Sequence, residues 1–263
     1  MQKLRSLILV VLLAGFIMLM TVGTWTVTAR RSIPRPVTVL FIGNSLTSKN
    51  NLPLQFYRIA RAARKRVAVY RSLLPAATFE YHIQSGVTLQ RLQQRNYTFV
   101  VMQEQSAYLS FGLRYAQALS WPSAIALKQA AGRATVVLYE TWGYRDGLGA
   151  NDTYDLMQDR ISDGYERLRQ RLGCQTAHVG EVWRKARSSL RNSQSYPEVS
   201  TLYTDDRHPT EKGTYLAASA IFAKLFRTSP RYLRPALDRK VPRAFARMAQ
   251  RWVEEEGSYA LQQ

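Results

Sequence analysis

Two short clusters in this 263-residue chain hold residue types that can do covalent chemistry. An apolar run, Val37-Thr38-Val39-Leu40-Phe41-Ile42, stops at Gly43-Asn44-Ser45-Leu46-Thr47. Far downstream stands Asp205-Asp206-Arg207-His208-Pro209-Thr210. Together they supply a serine, an imidazole and a carboxylate, the three groups that make a hydroxyl nucleophilic near neutral pH. Asn-Ser after a strand is also an ordinary way to begin a helix, and it is the distal Asp–His element that turns the reading toward catalysis. His208 is the natural general base for Ser45. Asp205 and Asp206 both lie close enough in sequence to orient its ring. Gly43 would let the backbone turn sharply after the strand, and the N–H of Ser45 could then point at a developing oxyanion.

The remaining reactive residue types offer less. The other two histidines, His82 and His178, read as structural or rim and as packing residues respectively. Cys174 is the sole cysteine, so an internal disulfide is excluded and a packing role is expected. No cluster of His, Cys or carboxylates has metal-ligand spacing, and no metal or cofactor is expected.

The nucleophile needs a rigid edge, and the surrounding sequence supplies one. Apolar runs at 37–42, 67–73, 99–102, 135–139 and 176–179 read as strands. Helical patterns cover 52–65, 88–94, 113–131 (with a start or kink at Pro122), 154–172 ending at Gly173, 182–190 and 209–226. Short strands alternating with helices imply parallel pairing with right-handed crossovers. Continuously apolar strands suit a sheet covered on both faces. The expected architecture is an α/β/α sandwich with a mostly parallel five-stranded sheet. Ligands of such folds sit beyond the carboxyl ends of the strands, which is where Ser45 falls.

Lys and Arg number 37 against 18 Asp and Glu, a formal charge of +19. That field favours anionic partners such as phospholipid, acidic polysaccharide or nucleic acid. The basic residues are dispersed over predicted helices and read mostly as solvated faces, and no recognisable nucleic-acid module is present. Residues 7–29 carry no charge and follow Lys3 and Arg5. That run is long enough to cross a bilayer and lacks Ala-x-Ala cleavage chemistry. Three segments are therefore expected: a membrane anchor or signal over 1–31, a catalytic domain over 32–228, and a basic helical tail over 229–263 with a helix at 244–254. The short N-terminal tail favours an exported domain held at the membrane, with secretion after cleavage as the alternative.

The two clusters together resemble the SGNH (GDSL-type) hydrolase family. Phe41-Ile42-Gly43-Asn44-Ser45-Leu46-Thr47 is similar to its first block and Asp205-Asp206-Arg207-His208-Pro209 to its last, an Asp-x-x-His element. The resemblance spans roughly 37–226. It implies a flavodoxin-like fold and ester or acetyl-ester hydrolysis, and its spacing favours Asp205 over Asp206. Ser85-Gly86-Val87-Thr88-Leu89 matches the second block, which implies an oxyanion donor at the N–H of Gly86. The family's third block, Gly-x-Asn-Asp, is replaced by Met102-Gln103-Glu104-Gln105-Ser106. Alignment of the strand ends assigns the amide donor to Gln105, with Gln103 as the alternative. Further substrate contacts are expected from Asn44, Gln103, and the loop residues Trp142, Tyr144 and Arg145. Tyr108, Phe111 and Tyr115 either line the same mouth or cover the core. The expected activity is a serine esterase acting on short acyl or acetyl esters, with acetylated envelope carbohydrate as the leading substrate. A lysophospholipase or short-chain lipase at the membrane surface, and a non-catalytic binding protein that keeps the fold, are the rivals.

Overall fold

Five runs of the chain form one parallel sheet: β1 (Val37–Gly43), β2 (Val67–Leu73), β3 (Phe99–Met102), β4 (Thr135–Tyr139) and β5 (Gln175–Ala177). The computed structural model describes residues 35–228 and 241–259, with side chains up to 255. The proposed anchor, 7–29, lies outside the described residues. Among the described residues no helix is long and apolar enough to cross a membrane.

The strand order is β2-β1-β3-β4-β5. From β1 the chain crosses to one side to make β2, then returns to the other side for β3 and beyond. This reversal leaves a crevice beyond the carboxyl ends of β1 and β3, the usual ligand position in open parallel sheets. The register brings Gly43, Leu73, Met102 and Leu138 to a common edge: Gly43 pairs with Leu73, Ile42 with Met102, and Met102 with Leu138.

In chain order the helices are α1 (Ser45–Ser48), α2 (Leu52–Ala62), α3 (Phe79–Gln84), α4 (Val87–Gln93), α5 (Ser106–Ser110), α6 (Trp121–Ala130), α7 (Tyr154–Leu172), α8 (Val179–Leu190), α9 (Glu198–Leu202), α10 (Glu211–Phe226) and α11 (Arg243–Tyr259). Alternate strand residues face opposite layers. Val39 and Phe41 meet Phe56 of α2, Ile221 and Phe222 of α10, and Phe245 of α11 in one apolar cluster. Leu40 and Ile42 meet Phe79 of α3, Leu127 of α6, and Ile161 and Leu168 of α7 in the other. The α/β/α expectation is borne out. Helix α11 belongs to the first layer, where Phe245, Ala249 and Val253 are buried.

One expected helix is divided. Residues 113–131 form a short turn at Leu113–Tyr115, a π-helical turn at Ala116–Ser120, and then α6. Pro122 lacks an N–H and sits in the first turn of α6, where no intrahelical donor is needed.

Candidate active site

β1 ends at Gly43, and the chain turns at once into the single helical turn α1. A Cβ on Gly43 would lie 2.5 Å from Gln103 Oε1 and 2.8 Å from Thr47 Oγ1, so the close approach there requires glycine. Asn44 is buried. Its Oδ1 accepts from the Leu46 N–H, and its Nδ2 donates to the Ala77 carbonyl at 2.9 Å. Gln103 Oε1 accepts from Asn44 N–H at 3.0 Å and from Thr47 Oγ at 2.8 Å. Both ends of the turn that carries Ser45 are thus clamped from β3's side, and half-buried Ser45 is left at the crevice.

The second half of the site comes from the 203–210 loop. An antiparallel bridge between Tyr203 and Pro209 closes it, and the Thr204 N–H donates to the His208 carbonyl at 2.9 Å. Inside the loop, Asp205 Oδ1 accepts from the N–H groups of Arg207 (2.9 Å) and His208 (2.7 Å). Its other oxygen lies 2.8 Å from His208 Nδ1. Burial raises the Asp205 pKa, but these N–H groups and the imidazole outweigh it and hold the carboxyl at about 2. An ionised carboxylate only accepts, so Nδ1 carries a hydrogen toward Asp205 and Nε2 is left to face Ser45. Nε2 lies 2.9 Å from Ser45 Oγ, within hydrogen-bond distance. The structure therefore brings Ser45, His208 and Asp205 into one chain of hydrogen bonds. Asp206 takes no part in it: its carboxylate meets the Arg207 guanidinium.

Several other expected contacts have different occupations. Asn44 and Gln103 spend their polar atoms on the turn and do not face a substrate; Gln103 Nε2 donates to the Glu104 carbonyl. Trp142 is buried, stacked on Trp183 with ring centroids 3.9 Å apart, and its Nε1–H donates to the Arg207 carbonyl at 2.9 Å. The Arg145 N–H donates to the Asp206 carbonyl at 2.7 Å, while its side chain pairs with Asp146. Tyr144 is buried under the Arg207 guanidinium. This loop holds the 203–210 loop in place and offers no exposed stacking platform through Trp142. Gly86 has φ +69°, the left-handed conformation expected of glycine, but its N–H donates to the Ile83 carbonyl at 3.1 Å. Gln105 caps α5, its Oε1 accepting from the N–H groups of Ala107 (2.7 Å) and Tyr108 (3.2 Å). Tyr108, Phe111 and Tyr115 form a ladder of ring contacts on the surface, with Phe111 and Tyr115 exposed.

Residues not singled out by spacing complete the arrangement. Asn50 Nδ2 donates to the Pro209 carbonyl at 2.8 Å and to Thr214 Oγ at 3.0 Å, bridging the Ser45 side to the loop that carries His208. Glu104 is wholly buried; its Oε1 accepts from Phe79 N–H (3.0 Å) and Gln105 N–H (2.7 Å), tying α3 to the end of β3. Burial pushes its carboxyl up to about 7, against those two N–H groups. The nearby Ser120 hydroxyl also opposes the rise. His82 is enclosed between the Gly43 carbonyl (Nε2, 3.1 Å) and Thr88 Oγ (Nδ1, 2.6 Å), and burial lowers its pKa to about 4. His178 hydrogen-bonds buried Glu140 through Nδ1 at 2.7 Å. His82 and His178 have the structural and packing places expected of them, and the signal that could have found Glu104 is a carboxylate directly after an apolar strand. Among the described residues, no group of three or more His, Cys, Asp or Glu side chains could hold a metal.

No protein-family model matches the chain, and no curated protein matches it in sequence. Solved structures do match in fold. A putative SGNH hydrolase from Slackia heliotrinireducens is 26% identical, with 73% of this chain and all of that one aligned at a TM-score of 0.54. A DUF4886 family protein from Bacteroides uniformis is 16% identical over 86% and 96% of the two chains, with a TM-score of 0.73. A variant of an acetyl xylan esterase from Geobacillus stearothermophilus is 13% identical over 72% and 94%, with a TM-score of 0.54. The parallel 2-1-3-4-5 sheet with flanking helices agrees with these neighbours: the chain has the SGNH-type hydrolase fold.

Proposed function

We propose that this protein is a serine esterase. Ser45 Oγ attacks the ester carbonyl carbon while its proton passes to His208 Nε2. The imidazolium so formed is held by ionised Asp205. Collapse of the tetrahedral intermediate breaks the carbon–oxygen bond of the leaving alcohol, which takes the proton from Nε2. Water then adds to the acyl-enzyme, giving its proton to His208; the carboxylic acid departs and Ser45 recovers its proton. The observation that carries this reading is the unbroken line from Asp205 Oδ2 to His208 Nδ1 at 2.8 Å and from Nε2 to Ser45 Oγ at 2.9 Å.

The oxyanion is assigned to the Ser45 N–H, which begins α1 and so lies outside any intrahelical ladder. Gln105 Nε2 is the second donor, because its Oε1 is already fixed by the start of α5. Gly86 joins them only if its bond to Ile83 opens. A small acyl group on carbohydrate is the substrate class we favour, supported by the acetyl xylan esterase among the neighbours. The uncharged run 7–29 supports a membrane-held, exported domain. The test is labelling by a fluorophosphonate probe, together with hydrolysis of p-nitrophenyl acetate, in the wild type, Ser45→Ala and His208→Ala. Loss of both signals in both variants is expected. A folded wild type that neither labels nor turns over refutes the esterase reading.

A further inference from the structure

In a parallel sheet every connection entering a strand lies at one end of the molecule, opposite the active site. Here that end is cationic. The connections into β2, β3 and β4, residues 63–66, 94–98 and 131–134, contain Arg64, Arg66, Arg95 and Arg133 and no carboxylate; Arg171 stands on the last turn of α7 before β5. All five arginines are exposed. Glu80 is the first acidic residue of the chain, and Glu104 is the only other before Glu140. Carboxylates stand instead at the far end, where Glu104, Glu140, Asp146 and Glu181 come after strands β3, β4 and β5, and Asp205 joins them through His208 beside Ser45. The cationic crowding reaches the end of α10: burial first, then Arg227 and Arg169, pulls the Lys224 ammonium below its usual value. Helix C-termini favour a nearby cation, but that does not account for connections wholly free of acid.

We propose that this strand-entry end docks on an anionic phospholipid bilayer, so that the domain stands on the membrane with Ser45 facing away. Charge complementarity selects the surface. The sequence selects a bilayer among polyanions: the chain enters the domain at Val37, at this same end, and the uncharged run 7–29 precedes that point. β1 separates the two ends by about 20 Å at the usual rise per residue, roughly two screening lengths at 0.1 M salt. The crevice therefore opens beyond the head-groups. Resting on the esterase reading, this makes the substrate a polymer-borne or soluble ester and not the lipid on which the protein sits.

Hydrogen exchange on the full chain, incorporated in nanodiscs of phosphatidylcholine with or without a third of phosphatidylglycerol, tests the docking. Slowed exchange at 63–66, 94–98 and 131–134 is expected only in the anionic discs, and it should vanish in concentrated salt. The triple variant Arg64→Gln/Arg66→Gln/Arg133→Gln should lose roughly a hundredfold in surface partition, at about fivefold per cation. Arg64→Lys/Arg66→Lys/Arg133→Lys should keep it, which excludes misfolding as the cause. Both variants should hydrolyse p-nitrophenyl acetate as the wild type does, a readout that fails separately if the esterase reading is wrong. Equal exchange in both discs, protection centred on 203–210, or protection by a DNA oligonucleotide in place of anionic discs would each overturn the proposal.

Discussion

Replacing Glu104 by glutamine tests whether a carboxyl is held neutral behind the nucleophile turn. Glutamine keeps an oxygen for the N–H groups of Phe79 and Gln105 but cannot ionise. With a folded pKa of about 7 against an ordinary value of 4.5, the folded wild type binds more protons than the unfolded chain between those pH values. Its stability from this group is thus full below about pH 4.5 and is lost as pH rises through 7. At 1.36 kcal/mol per unit, the loss is about 1 kcal/mol at pH 5 and about 3 kcal/mol at pH 7.5. The opposite sign applies to His82, whose folded pKa of about 4 lies below its ordinary 6.5. Its contribution is full above pH 6.5 and about 2 kcal/mol smaller at pH 5. The two nearly cancel in the wild type. The stability of Glu104→Gln relative to wild type should therefore grow by about 2 kcal/mol between pH 5 and 7.5, exposing the rise due to His82. Urea unfolding followed by tryptophan fluorescence across this window measures it. Parallel curves for the two proteins would mean that Glu104 ionises normally, and the argument from its burial would fail.

Gly43→Ala puts a methyl 2.5 Å from Gln103 Oε1, so it should destabilise by about 1–3 kcal/mol and reduce kcat by misplacing Ser45; thermal unfolding and turnover check both. Trp142→Phe removes the donor to the Arg207 carbonyl. We expect kcat to fall severalfold with KM nearly unchanged, whereas a rise in KM alone would restore Trp142 as a substrate platform. Asp205→Asn keeps an oxygen for the backbone N–H groups of the loop but loses the ionised partner of His208. Turnover should fall by about four orders of magnitude, and a drop of less than tenfold would transfer the orienting role elsewhere. Asp205 stabilises the fold above its ordinary pKa of 3.8, an effect lost as pH falls through about 2, so the variant's stability should be the less acid-sensitive of the two.

β1, β3 and β4 were legible because each is a nearly continuous apolar run buried on both faces; the edge strands β2 and β5 carry polar residues and gave a weaker pattern. The boundaries of β2, β3, β4 and α7 agree with the pattern, the last because Gly173 adopts the left-handed cap. Short helices such as α3, α5 and α9 carry too few turns for a periodic signal. The order of the sheet, and hence the crevice beside Ser45, depends on crossovers that no local pattern specifies.

Within the site, the residue types of Ser45, Asp205 and His208 pointed to a candidate nucleophile, orienting acid and base, because few side chains can do that work. What only the tertiary structure decided was how the polar neighbours are used. A glutamine can donate, accept or cap, and Gln103 and Gln105 look alike in sequence. Gln103 points under the nucleophile turn, where buried N–H and O–H groups require an acceptor, while Gln105 lies at a helix start. Trp142 reads as a substrate contact in a Gly-containing loop until Trp183, 41 residues away in sequence, packs against its face. Chemistry is carried by side-chain identity, which the sequence states outright. Hydrogen-bond partners and burial are properties of contacts between distant segments, and those exist only once the chain has folded.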